Sequence, residues 1–335
     1  MFIKTNKEIR LTDSNVESFD FLPNGTYLVK YDAPNHEYFL ELSENFTIPN
    51  KVYGNSDALS DRYVRTFLDG TKNMGILLTG LKGTGKSLTA KLTALKANIP
   101  VILVTEEFTG EEFKSFLNSI NQEVVVFIDE FEKVYGKDET QQSLLSLLDG
   151  IFEGKKLFIF TSNMRIKINQ YMLNRPGRIR YLAEYDSLED SVINDVINDM
   201  LINKENANEL IDVLDILGVV SMDVLNALIT EMNKYGETAK EAVKYLNIKP
   251  DNIEYSVEII INNDKIASTS LKTHPLNNPD IYIDYYNINT KQWEDINITV
   301  SKWEVIRNDK TIIMNNNGIN TQVIFKPKKK ETFEF

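Results

Sequence analysis

Gly80, Leu81, Lys82, Gly83, Thr84, Gly85, Lys86 and Ser87 follow one another in the order G-x-x-x-x-G-K-S, the residue types needed to hold a polyphosphate. Glycines let the backbone curl so that successive N–H groups converge on an anion, where a side chain would collide with it. A helix opening at this point leaves its first-turn amides unpaired and favours negative charge in the same place. Lys86 would put a mobile positive charge on the outer phosphates, and the Ser87 hydroxyl is a hard oxygen ligand for Mg2+. A glycine-rich turn without a ligand would explain the glycines but not a lysine and a hydroxyl in register behind them. Further along, Val124-Val125-Val126-Phe127-Ile128 runs straight into Asp129 and Glu130. Asp129 suits Mg2+ through its water shell, and Glu130 suits the orientation and deprotonation of an attacking water.

These residues need a scaffold that brings strand ends together. Short apolar strands expected at residues 75–79, 101–104, 124–128, 157–161 and 181–185 alternate with helical stretches, the pattern of a parallel sheet covered on both faces. Ligands on such sheets sit at the C-terminal strand ends, which sends Gly80, Asp129 and Glu130 to one place. A helix is expected over 56–69, with apolar positions at Leu59, Tyr63, Val64 and Phe67. Residues 1–55 read as a small β-rich unit, with strands around Tyr27–Tyr31 and Tyr38–Leu42. Residues 187–247 read as helical throughout, and Lys249-Pro250-Asp251-Asn252 ends them. Beyond lies an Asn-rich β region, with a tight hairpin turn expected at Asn316-Asn317-Gly318. Alternation there places at least half of Tyr282, Tyr285, Tyr286, Trp293 and Trp303 in a core.

Composition narrows the class. The 335 residues are 42% apolar and 26% charged, as in ordinary globular proteins, and long enough for two or three structural units. Cysteine is absent and His36 and His274 are the only histidines, which argues against disulfides and a zinc site. The formal charge of −12 disfavours sequence-independent nucleic-acid binding. The N-terminal residues lack the apolar core of a signal peptide and no run is long enough to span a bilayer, so a cytoplasmic location without membrane contact is expected. The abundance of Asn, Lys, Ile and Tyr fits an AT-rich genome, such as that of a bacterium or a bacteriophage acting in its host's cytoplasm.

Over residues 53–247 the chain resembles the AAA family of ATPases. Leu157-Phe158-Ile159-Phe160-Thr161-Ser162-Asn163 is similar to that family's strand ending in a polar sensor, which implies that Asn163 lies between the γ-phosphate and Glu130. Asn174-Arg175-Pro176-Gly177-Arg178-Ile179 resembles its R-P-G-R segment, implying that Arg175 and Arg178 reach the nucleotide of a neighbouring subunit. Arg180 stands where the family often has an acidic residue. Tyr53-Gly54 resembles the segment that lines the adenine pocket. The resemblance implies an α/β fold: a parallel-sheet P-loop AAA core (56–185) with a helical lid (186–249), flanked by small N-terminal (1–55) and C-terminal (250–335) β-rich domains. It also implies ATP and Mg2+ as ligands and a homo-oligomeric ring, usually six-membered.

Phe108-Thr109-Gly110 is similar to the aromatic-x-Gly pore loop of protein-remodelling members, with Gly136-Lys137-Asp138 as a second pore loop on position alone. An aromatic ring at a ring axis can grip an extended polypeptide regardless of sequence. The competing reading makes Thr109 a helix cap and Phe108 an apolar staple. The pore-loop reading favours a protein substrate over two alternatives, a nucleic-acid motor or loader and an ATP-dependent assembly scaffold with little turnover.

Overall fold

The computed structural model describes residues 2–5, 8–11, 17–149, 154–173, 177–248, 253–275, 278–308 and 311–328. The chain divides into two compact units, Met1–Tyr185 and Asp186–Phe335.

In the first unit an antiparallel pair, β1 (Phe2–Thr5) and β2 (Glu8–Leu11), precedes the main sheet. The sheet's strands are β3 (Thr26–Asp32), β4 (Glu37–Ser43), β5 (Met74–Gly80), β6 (Val101–Leu103), β7 (Val124–Ile128), β8 (Lys156–Ser162) and β9 (Ile179–Tyr185). Their order is β4-β3-β6-β7-β8-β5-β9, parallel throughout except that β4 runs antiparallel to β3. β3 and β4 are therefore the edge of the main sheet, which corrects the expectation of a separate β unit over residues 1–55. Every residue of β7 and β8 is buried, as a sheet covered on both faces requires.

Helices α1 (Ser56–Asp69) and α2 (Lys86–Lys96) cover one face, where Tyr63, Phe67, Ala90 and Ala94 meet Ile76, Leu78 and Phe127. Helices α3 (Gly110–Ser119), α4 (Phe131–Val134), α5 (Asp138–Leu148) and α6 (Gln170–Leu173) belong to the same unit. Phe113, Leu117, Phe131, Leu144 and Met172 from these four pack with Leu77, Val126 and Phe160 of the strands. A ladder of small hydroxyl residues joins α1 to α2: Thr89 Oγ1 donates to Ser56 Oγ (2.8 Å) and Thr93 Oγ1 to Ser60 Oγ (3.0 Å). Small side chains let the two helices approach closely, and each buried hydroxyl finds a partner.

The second unit begins with α7 (Asp190–Met200), α8 (Ala207–Leu217), α9 (Met222–Tyr235) and α10 (Ala239–Ala242). Ser221 caps α9 by accepting the Val224 N–H, and Gly236 ends the helix in the left-handed conformation that glycine tolerates. An antiparallel region follows: β10 (Ile253–Ile261), β11 (Asp264–Thr273), β12 (Asp280–Asn287), β13 (Gln292–Thr299), β14 (Glu304–Asn308), β15 (Thr311–Asn316) and β16 (Thr321–Pro327). Five strands form one sheet in the order β11-β10-β16-β15-β14, and β12 pairs with β13 as a separate ribbon. The inner faces share a core that includes Val257, Ile259, Ile281, Ile283, Met314, Val323 and Phe325. Of the five aromatics considered above, only Tyr285 and Trp303 are buried; Tyr282, Tyr286 and Trp293 face outward. The β15–β16 turn also differs from the expected hairpin: positive φ falls on Asn320, while Gly318 donates its N–H to Asn316 Oδ1.

Candidate active site

The parallel sheet brings Gly80, Asp129, Ser162 and Tyr185 to the same end of four strands that lie side by side. In register, Thr79 faces Ser162, Gly80 faces Tyr185 and Ile128 faces Phe160. Gly80 has a φ of 129°, and a Cβ there would stand 2.0 Å from the Tyr185 carbonyl oxygen. Only glycine lets the loop leave β5 while Leu81 N–H donates to that same carbonyl (2.7 Å). Gly85, with a φ of 103°, turns the chain into α2, and nothing lies within 4 Å of where its Cβ would be.

Inside the loop, Lys86 is buried and its ammonium donates to the carbonyls of Gly80 (2.9 Å) and Leu81 (2.5 Å). Burial pushes this lysine below its usual range, and the carboxylates of Glu132, Asp129 and Glu130 act against that shift. Thr84 Oγ1 closes the loop on the Leu81 carbonyl (2.6 Å). Lys82 stays exposed, and Gly83 sits at a φ of 75°.

Beside the loop the carboxylates form one hydrogen-bonded chain. Asp129 Oδ1 accepts from Ser87 Oγ (2.9 Å) and Thr161 Oγ1 (2.5 Å). Thr161 Oγ1 in turn accepts the Glu130 N–H (2.9 Å). Glu130 adopts a left-handed backbone (φ 50°), an uncommon conformation for a non-glycine residue, immediately after the buried strand β7. Its carboxylate accepts from Asn163 Nδ2 (3.1 Å) on one oxygen and from Lys133 Nζ (2.6 Å) on the other. The charged hydrogen bond from Lys133 is the main reason that the Glu130 carboxyl is held below the ordinary carboxylate range. Asp129, Glu130, Lys133 and Thr105 also line an open cleft of about 470 Å3 at the ends of β6 and β7.

Glu132 belongs to this chain and was not singled out by the sequence. It is 7% exposed, and Oε1 accepts the backbone N–H of Asn163 (3.0 Å), while Oε2 is buried with no hydrogen-bond partner. A buried, half-satisfied carboxylate is expensive in a fold and marks a place where polar chemistry occurs. The signal was present in the spacing: two residues after Glu130, on the first turn of α4, its carboxylate faces the end of β8.

Three expectations meet the structure differently. Phe108 is 7% exposed, packed edge-on against Tyr38 (5.3 Å) and tilted against Phe113 (5.5 Å), and its backbone is pinned by the Tyr135 hydroxyl. It is the apolar staple of α3, not a ring displayed for a substrate; Thr109 and Gly110 are exposed at the helix start, and Thr109 makes no side-chain cap bond. Arg178 is 9% exposed, with Nε and Nη2 on the two oxygens of Asp149 (2.8 and 2.5 Å) and Nη1 on the Tyr171 carbonyl. Three of its five N–H donors are held within its own chain and the side chain is buried, so the finger role expected for Arg178 would first require it to leave Asp149. Arg175 lies outside the described residues. Tyr53 and Gly54 stand just before Asn55 and α1, whose Ser56 accepts from Thr89 of α2.

A parallel sheet, a glycine-built loop running into a helix, and a Ser–Asp pair with an adjacent glutamate define a P-loop nucleoside triphosphatase. Within that class, residues 76–185 match the family model described as "ATPase family associated with various cellular activities (AAA)". The chain carries an AAA-family ATPase domain, the ATP-hydrolysing module of that family. It is similar to the "ATP-dependent zinc metalloprotease FtsH" of Mycoplasmopsis synoviae, at 36% identity over 31% of this chain and 19% of that protein. The same-named protein of Mycoplasma mobile is 36% identical over 31% of this chain and 18% of its own length. A "Putative cell division cycle ATPase" of Plasmodium falciparum is 29% identical over 59% of this chain and 18% of that protein. The chain thus spans about a fifth of the length of these relatives. Among the described residues no group of three or more His, Asp or Glu could hold a metal ion, and no helix is long and apolar enough to cross a membrane.

Proposed function

We propose that this chain hydrolyses Mg2+-bound ATP at the Gly80–Ser87 loop and works as a ring-forming ATPase that remodels a protein substrate. The observation that carries the hydrolytic part is the continuous hydrogen-bond chain from Ser87 through Asp129, Thr161 and Glu130 to Asn163. The Ser87 hydroxyl and the Asp129 carboxylate are hard oxygen donors that already share a hydrogen bond, so they fit Mg2+, which would neutralise charge on the phosphates. Lys86 and the loop amides hold the polyphosphate. Glu130, kept ionised by Lys133 and oriented by Asn163, takes a proton from the attacking water. Asn163 is itself held by Glu132.

Assembly and substrate rest on other grounds. A stabilising guanidinium from a second copy would come from Arg175, since Arg178 is engaged by Asp149, and a six-membered ring is the arrangement that the family resemblance supports. A polypeptide substrate is supported by the names of the protease relatives and by the formal charge of −12, which disfavours a polyanion. The buried Phe108 gives that reading no help, and favours as second reading a nucleotide-dependent scaffold without a gripping ring. The test is the ATPase rate of the full chain alone, with an unfolded polypeptide and with single-stranded DNA. Stimulation by polypeptide is expected; stimulation by DNA alone would overturn the substrate class, and a ring that forms with ATP but barely turns over would favour the scaffold.

A further inference from the structure

The β12–β13 ribbon has two unlike faces. Its inner face carries Ile281, Ile283, Tyr285 and Ile298, all buried in the core of the β region. The one carboxylate turned toward that side is fully engaged: Glu294 accepts from Tyr285 (3.0 Å), Asn287 (2.9 Å) and Thr290 (2.7 Å). The outer face reads Asp280, Tyr282, Asp284, Tyr286 on one strand and Thr299, Asn297, Asp295, Trp293 opposite them in register. Tyr282, Tyr286 and Trp293 are 57%, 45% and 74% exposed. Asp284 and Asp295 stand directly across from each other, an arrangement that destabilises a sheet by roughly 0.2–1 kcal/mol. Among the described residues none of Asp280, Asp284 and Asp295 takes part in an ion pair. Among the described residues Asp280 accepts from Thr299 Oγ1 (2.8 Å), and the Tyr282 hydroxyl is in hydrogen-bond reach of Asp284 and Asp295.

From this face we infer a docking surface for an extended, lysine- or arginine-rich polypeptide segment. Charge complementarity and ring chemistry meet on this face. Three aspartates with no cation of their own attract ammonium or guanidinium groups, and a cation relieves the repulsion between Asp284 and Asp295. Tyr282, Tyr286 and Trp293 offer ring faces, on which a cation gains further when desolvated. Residues 280 to 286 span roughly 20 Å of strand, room for an extended segment of about seven residues whose alternate side chains all point at the ribbon. Anionic partners, nucleic acid and acidic lipid among them, are repelled by the same aspartates. A sugar ring wants a flat aromatic platform, whereas Tyr286 and Trp293 meet edge to face at 69°. The inference is independent of the nucleotide chemistry, because no residue of the ribbon belongs to the ATPase domain.

The full chain is titrated against a fluorescein-labelled (Lys-Ser)4 peptide by anisotropy, with (Glu-Ser)4 and cellohexaose as competitors. Saturable binding of the lysine peptide is expected, undisturbed by either competitor. It should weaken at least about ten-fold in the Asp284→Asn/Asp295→Asn variant and similarly in Trp293→Ala, with basal ATPase rate unchanged. Since the whole chain is acidic, diffuse attraction is the main rival explanation. Binding that survives both variants at wild-type strength overturns the assignment, as do displacement by cellohexaose and the absence of binding at millimolar peptide.

Discussion

The strand ends of the ATPase domain and the outer face of the β12–β13 ribbon both gather carboxylates, and they treat them in opposite ways. At the strand ends each acid is engaged within the chain: Asp129 by Ser87 and Thr161, Glu130 by Asn163 and Lys133, Glu132 on one oxygen by Asn163. On the ribbon Asp284 faces Asp295 with no neutralising cation among the described residues. A partly buried cluster has to be organised by its own fold, because an unpaired charge away from water is costly, whereas an exposed one can wait for a partner. The first region is thus read through its hydrogen bonds and the second through what those bonds leave open.

The comparison breaks most severely at Gly80. An added methyl would meet the Tyr185 carbonyl oxygen in a backbone conformation that alanine resists, so Gly80→Ala should disrupt the loop at a cost of roughly 2–4 kcal/mol. Nucleotide binding should fall beyond detection in a fluorescent-nucleotide titration. An affinity within a few-fold of wild type would mean that the close approach to β9 does not shape the site.

Next in size is Glu132. Replacing it by Ala removes the acceptor of the Asn163 N–H, and the account expects kcat to fall ~10–100-fold, about 1.4–2.7 kcal/mol of barrier, with KM for ATP little changed. Glu132→Gln keeps an acceptor oxygen and should recover most of the loss. A rise in KM at constant kcat would place Glu132 in binding rather than in positioning the sensor.

A smaller effect separates Glu130's two partners. Lys133 lowers the Glu130 carboxyl, so the base stays ionised to lower pH than an isolated glutamate would. In Lys133→Met the carboxyl should titrate at higher pH, and the acid limb of the rate–pH profile should move upward. An unmoved limb would show that the ion pair has no hold on the base. Smallest of all, Asp284→Asn should leave the β region as stable or more stable by roughly 0.2–1 kcal/mol in denaturant unfolding, since it removes a cross-strand repulsion. A loss of stability would mean that the hydrogen bonds of the Tyr282 hydroxyl to the two aspartates outweigh their repulsion.

The two regions also differed in how far they could be read from sequence. The loop, β7 and β8 announce themselves because a buried parallel strand is a continuous apolar run and the catalytic types follow it directly. What escaped depends on partners distant in the chain. Phe108 is buried by Tyr38 and Tyr135, and Arg178 is taken by Asp149, neither of which a local motif reveals. The edge role of β3 and β4 depends on β3 pairing with β6, residues brought together only by the sheet. In the β region β11 and β14 are the two edges of the five-stranded sheet. Edge strands bury less, and the run Ala267-Ser268-Thr269-Ser270 carries little apolar pattern to detect. The outward aromatics were misjudged because alternation fixes that neighbours lie on opposite faces, not which face is covered.

The central claim is that Glu130, held at the end of β7 against Asn163, is the base of an ATP-hydrolysing site. Its most direct test is phosphate release and ATP affinity measured side by side for the full chain and for Glu130→Gln. The account predicts turnover reduced by at least roughly a thousand-fold, more than a positioning residue alone would cause, with ATP bound as tightly as by the wild type. Turnover within a few-fold of wild type would contradict it.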